Sequence, residues 1–178
     1  MRHRLLPLVA FLMLALALYD ALLGTRGDTP TQPKPLPAIT LGGLDGQKTL
    51  TLSELNSDVV VVNFFASWCA PCLAEFPEFT ALKKQFPKVK FYGVAWNDTP
   101  EILHPWFKKH SNPFDAVWLD ADGKAAIALG IRGIPETYIV GRDGTVRYHL
   151  QGAIEPGMRE EKLVPFLTAL EAEHAPAK

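Results

Sequence analysis

The sequence predicts an α/β domain, a mixed central sheet flanked by helices, with an N-terminal membrane anchor in front of it. Three observations carry this expectation. β-branched runs alternate along the chain with segments of helical spacing. The run Asp58–Phe65 (DVVVVNFF) is apolar on both faces, as a fully buried central strand must be. A Cys-x-x-Cys pair, Cys69 and Cys72, falls between that run and the next helical segment.

The elements follow in chain order. Arg2, His3 and Arg4 precede an uncharged run, Leu5–Tyr19; Asp20 interrupts it and Ala21–Gly24 resumes it. A helix of that first run spans only about 23 Å, and one from Leu5 to Gly24 roughly 30 Å. A basic start and an apolar run fit an uncleaved anchor or a cleaved export signal. The anchor is the expectation here, because the only small-residue pair, Ala15 and Ala17, lies inside the run. Residues 1–23 are therefore read as anchor or signal. Arg2 and Arg4 would hold the short end in the cytoplasm and send the rest outward.

Residues 24–37, GTRGDTPTQPKPLP, carry four prolines and read as an extended tether. The folded domain is expected over 38–174, long enough to bury a core. Ile39–Leu41 and Thr49–Leu52 flank Gly42, Gly43 and Gly46 and predict a hairpin. Pro71–Gln85 has apolar residues at Leu73, Phe76, Phe79 and Leu82, which is helical spacing, with Pro77 as an expected kink. Val89–Trp96 is a second buried strand. Thr99 is the expected cap, and Pro100 the first residue, of a helix through Ile102, Leu103, Trp106 and Phe107. Ala116–Leu119 is a short strand and Lys124–Leu129 a short helix ended by Gly130. Thr137–Val140 and Thr145–Leu150 form strands joined through Asp143-Gly144. Met158–Leu170 is an amphipathic helix, and the tail from Glu171 is expected to fray.

Composition narrows the function. The 178 residues hold 18 Lys plus Arg and 19 Asp plus Glu, a net charge of −1, so no basic footprint points to nucleic acid. Two cysteines exclude a disulfide-dense scaffold and a four-thiolate zinc site. Their chemistry follows from their place. At a helix N-terminus the first sulfur lies beside unpaired backbone N–H groups and the positive end of the helix dipole. Both stabilise a thiolate and lower its pKa. The two-residue spacer, Ala70-Pro71, lets Cys72 reach back to Cys69. Cys69 would attack a partner disulfide and Cys72 would resolve the mixed disulfide. Trp68 would shield one side of the site from water. Three other readings stay open at this point: two free buried cysteines, a static structural disulfide, and a soft-metal site such as Cu(I) held with His104 or His110. No bound cofactor is needed if the cysteine pair carries the electrons.

Phe64–Cys72, with Pro77 five residues past the second cysteine, resembles a thioredoxin-fold active site. Gly133-Ile134-Pro135-Glu136-Thr137 resembles that fold's cis-proline loop, which faces the cysteine pair. Gly93–Asp98 (GVAWND), Asn112-Pro113-Phe114, Leu129–Thr137 and Val146–Gly152 resemble the membrane-anchored thiol–disulfide oxidoreductases of the DsbE/CcmG type. With anchor and tether the resemblance covers nearly the whole chain. It implies a thioredoxin fold and a single-pass inner-membrane protein with its domain in the periplasm. It implies a reductant that takes electrons from a membrane thiol donor and passes them to apocytochrome c or the partner that holds it. A cis bond at Pro135 would leave the backbone of Ile134 free to pair with an extended peptide.

Two departures stand out: Asn63, and Trp96 in GVAWND, where that branch often has Tyr followed by Lys, so that partner contacts there would differ. Asn63 occupies the position of thioredoxin's buried acid, and an amide cannot take a proton from Cys72. Glu75 matches an acid of the anchored branch; it is read either as tuning or deprotonating the pair or as a solvated surface residue. Glu136 would add negative potential near Cys69 or cap the sheet edge. Within the wider thioredoxin-like family a general oxidant or reductase of secreted proteins is the alternative, and a copper-binding chaperone a more distant one.

Overall fold

The structure is a computed structural model and describes residues 11, 13–15, 34–46 and 48–173. Most of the expected anchor and most of the tether lie outside the described residues. Among the described residues no helix is long and apolar enough to cross a membrane.

The described residues form eight strands in one sheet: β1 (Lys34–Pro35), β2 (Thr40–Gly43), β3 (Thr49–Thr51), β4 (Val60–Phe65), β5 (Lys90–Trp96), β6 (Ala116–Asp120), β7 (Glu136–Val140) and β8 (Thr145–Gln151). Their order is β1-β8-β7-β4-β5-β6-β2-β3. β4, β5 and β6 are parallel, and every other pairing is antiparallel. The parallel pairs need crossovers, and helices α1 (Ala70–Gln85) and α2 (Pro100–Lys109) supply them. α3 (Lys124–Leu129) links β6 to β7, and α4 (Val164–Ala172) follows a π turn at Arg159–Leu163.

β4 shows why the sheet has two cores. All six of its residues are buried. Side chains alternate across the sheet, so Val61 and Phe65 join the core under α1, α2 and α4, while Val60, Val62 and Phe64 join the core on the α3 side. Phe65 is the hub of the first, with the rings of Phe76, Trp106, Phe107 and Phe114 between 5.2 and 6.1 Å away. Asn63, on the same face, is the polar exception.

The sequence expectations for the sheet hold closely, including the β2–β3 hairpin and the αL cap at Gly130. Three details differ. The tether's end belongs to the domain: Lys34 and Pro35 pair with Val146 and Thr145 on β8, and Leu36 is buried. Proline suits such an edge strand. Thr99 sits at the α2 N-cap in extended conformation, but its side chain makes no capping bond. The C-terminal helix holds to Ala172, because Arg142 donates hydrogen bonds to the carbonyls of Leu170, Glu171 and Glu173 at its end. Residues 174–178 lie outside the described ones.

Gly93 on β5 is held glycine by packing. A Cβ there would lie 2.6 Å from the Phe114 ring and 2.8 Å from that of Phe65. Gly93→Ala is therefore expected to destabilise the domain by about 1–3 kcal/mol. Urea unfolding of variant and wild type measures this, and an unchanged midpoint contradicts it.

Candidate functional site

β4 ends at Phe65, and the chain turns once before entering α1. The Cys69 N–H donates to the Ala66 carbonyl at 3.1 Å, which closes that turn. Cys69 is the N-cap of α1, in extended conformation. Its Sγ accepts the backbone N–H of Cys72 at 3.2 Å, the place where a Ser or Asp oxygen usually caps a helix. Pro71 lies in the first turn, where its missing N–H costs nothing. No acidic residue occupies that turn, and Lys83 and Lys84 occupy the last. The positive end of a 16-residue helix is thus aimed at Cys69 without a competing carboxylate.

Cys69 and Cys72 are joined as a disulfide. Both belong to the helix-side core; Cys72 is fully buried and Cys69 is 6% exposed. The edge that Cys69 shows faces the loop before β7, where the Ile134–Pro135 peptide is cis. The Ile134 carbonyl oxygen lies 3.8 Å from the Cys69 sulfur. In the disulfide the sulfur carries no hydrogen, so this is a contact; a thiol there can donate to it. The sequence placed both loops correctly. Trp68 is less of a shield than expected. It stands 61% exposed, its ring 6.3 Å from that of Trp96.

Glu75 is not a surface residue. It is 1% exposed, and the solvated reading is overturned. One carboxylate oxygen accepts the Asn63 side-chain N–H at 3.0 Å, the other the Ile154 N–H at 2.9 Å. Asn63 also donates to Thr137 Oγ at 3.0 Å, the residue opposite it in the β4–β7 register. Helix α1, strand β4 and the loop after β8 therefore meet at one carboxylate, three residues from Cys72 on the same helix, and β7 joins through Asn63. Burial pushes the Glu75 pKa up from 4.5 to about 7, against the opposing pull of the Ile154 and Asn63 hydrogen bonds. Such a group takes and gives up a proton near neutrality.

Glu136 goes the other way. Alternation along β7 puts it with Tyr138 and opposite to Thr137. Its carboxylate accepts the Tyr138 hydroxyl at 3.0 Å and lies 2.7 Å from His149 Nε2, with the Tyr138 and His149 rings stacked 4.2 Å apart. Burial and the Glu136 charge push the Tyr138 hydroxyl pKa up. Tyr138 packs in the α3-side core and the cysteines in the other, so this carboxylate serves the far face of the sheet. Of the two histidines considered as metal ligands, His110 packs its ring against that of Trp106, tilted by 47°, and His104 is exposed on α2. Among the described residues no group of three or more His, Cys, Asp or Glu side chains could hold a metal ion.

Sequence reasoning missed Thr137 and Asp98. Asp98 reads as the approach to α2, yet its carboxylate accepts both the backbone N–H and the hydroxyl of Ser67, at 2.6 and 2.8 Å.

A thioredoxin-like sheet carrying a joined Cys-x-x-Cys at a helix head defines a protein-disulfide oxidoreductase. By its matches the chain belongs to the AhpC/TSA family, whose model covers residues 33–149, and within it to the DsbE thiol:disulfide interchange proteins. It is 32% identical to thiol:disulfide interchange protein DsbE of Pseudomonas aeruginosa over 93% of each chain. It is 30% identical to that of Escherichia coli over 91% of each chain. Among solved structures, DsbF of Mycobacterium tuberculosis superposes with a TM-score of 0.64 at 26% identity, over 75% of this chain and 95% of the other.

The buried carboxyl yields a pH prediction. Glu75 holds its proton more tightly folded (about 7) than unfolded (4.5), so it contributes stability below pH 4.5 and loses it as pH rises to 7. The loss is on the order of 3 kcal/mol. Glu75→Gln is uncharged throughout, and its amide can donate to the Asn63 oxygen, which otherwise has no hydrogen-bond partner, once Asn63 flips. The stability of the variant relative to wild type should therefore rise by about that amount between pH 4 and pH 8. Denaturant titrations across the range test it, and a flat difference would refute it.

Proposed function

We propose that this chain is an inner-membrane-anchored reductant, its domain in the periplasm, that delivers electrons to a disulfide of apocytochrome c or of the partner holding it. The observation that carries the reading is Glu75, a buried carboxyl with a pKa of about 7 one helical turn from Cys72. It gives the resolving cysteine a proton acceptor where Asn63 cannot serve. The likeness to DsbE proteins along most of the chain supports the choice of target class, as does the basic, apolar start of the sequence for the anchor.

The cycle balances as follows. The Cys69 thiolate attacks one sulfur of the target disulfide. A mixed disulfide forms, and one target thiolate leaves and takes a proton. Cys72 gives its proton to Glu75 and attacks the Cys69 sulfur. The Cys69–Cys72 disulfide closes and the second target thiolate leaves, taking a proton. Two electrons have passed to the target, and a membrane thiol donor restores the dithiol. The cysteine pair is itself the electron carrier, so the cycle uses no bound cofactor. The Ile134 backbone flanks the sulfur that the target meets, and Trp68, the residue before it in sequence, stands exposed.

The reduction potential tests the direction. Full chain equilibrated against a dithiol buffer should show a midpoint at or below about −200 mV, where an outside donor must keep it reduced. A midpoint near roughly −120 mV would make it an oxidant of secreted proteins instead.

A further inference from the structure

The turn Ala66–Cys69 delivers the reactive sulfur, and Ser67 and Trp68 are its two corners. One short stretch at the end of β5 holds both. Trp96 lies beside Trp68, with ring centroids 6.3 Å apart. Asp98 grips Ser67 at both its N–H and its hydroxyl. Asn97 between them has φ 53°, the left-handed region, which Asn tolerates better than most residues. β4 and β5 pair in parallel up to Phe65 and Ala95, so this stretch emerges next to the turn.

Asp98 is 1% exposed. Burying a carboxylate is costly unless strong hydrogen bonds replace its water. Here both oxygens are turned on a single residue, two positions before Cys69. The contact most in need of such support is the Cys72 N–H to Cys69 Sγ bond of 3.2 Å. While the disulfide is closed, the covalent link keeps the two residues together. Once it opens, the turn and the Leu73 N–H bond to the Cys69 carbonyl at 3.2 Å hold the Cys69 sulfur against the helix head, and hydrogen bonds weaken steeply with distance and angle.

We propose that Asp98 is a positioning residue for thiol–disulfide exchange: by gripping Ser67 it fixes the turn that keeps the Cys69 sulfur on the α1 N-terminus in the reduced protein. The proposal rests on Cys69 being the attacking cysteine. Asp98 touches no reacting atom; it acts through Ser67.

The test uses reduced full chain and two readouts, the pH profile of Cys69 alkylation by iodoacetamide and the equilibrium with a dithiol buffer. In Asp98→Ala the thiolate loses its support. Its alkylation profile should move to higher pH, and the equilibrium should shift about tenfold toward the oxidised protein, or about 30 mV. Ser67→Ala loses only the hydroxyl bond and should shift in the same direction by less. Asp98→Asn should restore the wild-type profile, because its oxygen accepts the Ser67 N–H while its amide donates to the Ser67 oxygen. If Asp98→Ala does not fold, the other two variants decide. Wild-type profiles in Ser67→Ala and Asp98→Ala would overturn the proposal. So would an Asp98→Asn variant as impaired as Asp98→Ala, which would make charge rather than position the cause. First alkylation at Cys72 would instead overturn the assignment of the attacking cysteine, and the clamp with it.

Discussion

The arrangement depends on a sulfur doing the work of a helix cap. A helix leaves its first N–H groups without partners, and a side-chain acceptor at the N-cap usually satisfies one of them. Here that acceptor is the Cys69 sulfur, 3.2 Å from the Cys72 nitrogen. The requirement of the helix and the requirement of the chemistry coincide: what satisfies the backbone also stabilises a thiolate. Much of the surrounding structure serves this coincidence. β4 is buried on both faces, so its end is fixed, and the turn it feeds can place Cys69 reproducibly.

The two faces of the sheet divide the polar groups near the site between them. On the helix side, Glu75, Asn63 and Thr137 form a chain of hydrogen bonds that ends at Ile154. Every link joins a different segment, so the proton site near Cys72 is also a structural node. On the other side, Glu136 is occupied by Tyr138 and His149. The loop between Ile134 and Glu136 thus presents a backbone carbonyl to the sulfur and sends its carboxylate through the sheet. Of Glu75 and Glu136, Glu75 is the acid that accompanies the cysteine pair on its own face.

Most of the sheet was legible because its strands are β-branched, apolar and bounded by glycine or proline, and the cysteine pair because its spacing and its place between strand and helix name its chemistry. Glu75 was only half legible. Cys72, Glu75, Phe79 and Leu82 fall on one helical stripe, a signal that it is buried, but its partners Asn63 and Ile154 lie 12 and 79 residues away and only the fold brings them together. Glu136 could have been placed by alternation with Tyr138 along β7. Asp98 was legible only as the end of the matching GVAWND stretch and without a role, since its partner Ser67 lies 31 residues away. The β1 pairing escaped because two residues in a proline-rich segment show no periodicity.

The central claim is that Cys69 attacks and Cys72 resolves. Removing the resolving thiol should trap the intermediate. Reduced Cys72→Ser protein, mixed with a peptide whose Cys-x-x-Cys-His motif is closed as a disulfide, should accumulate a one-to-one mixed disulfide. Intact-mass and peptide mapping should place it at Cys69, and Cys69→Ser should accumulate none. A mixed disulfide on Cys72 in the Cys69→Ser protein, with none on Cys69 in the other, would contradict the account.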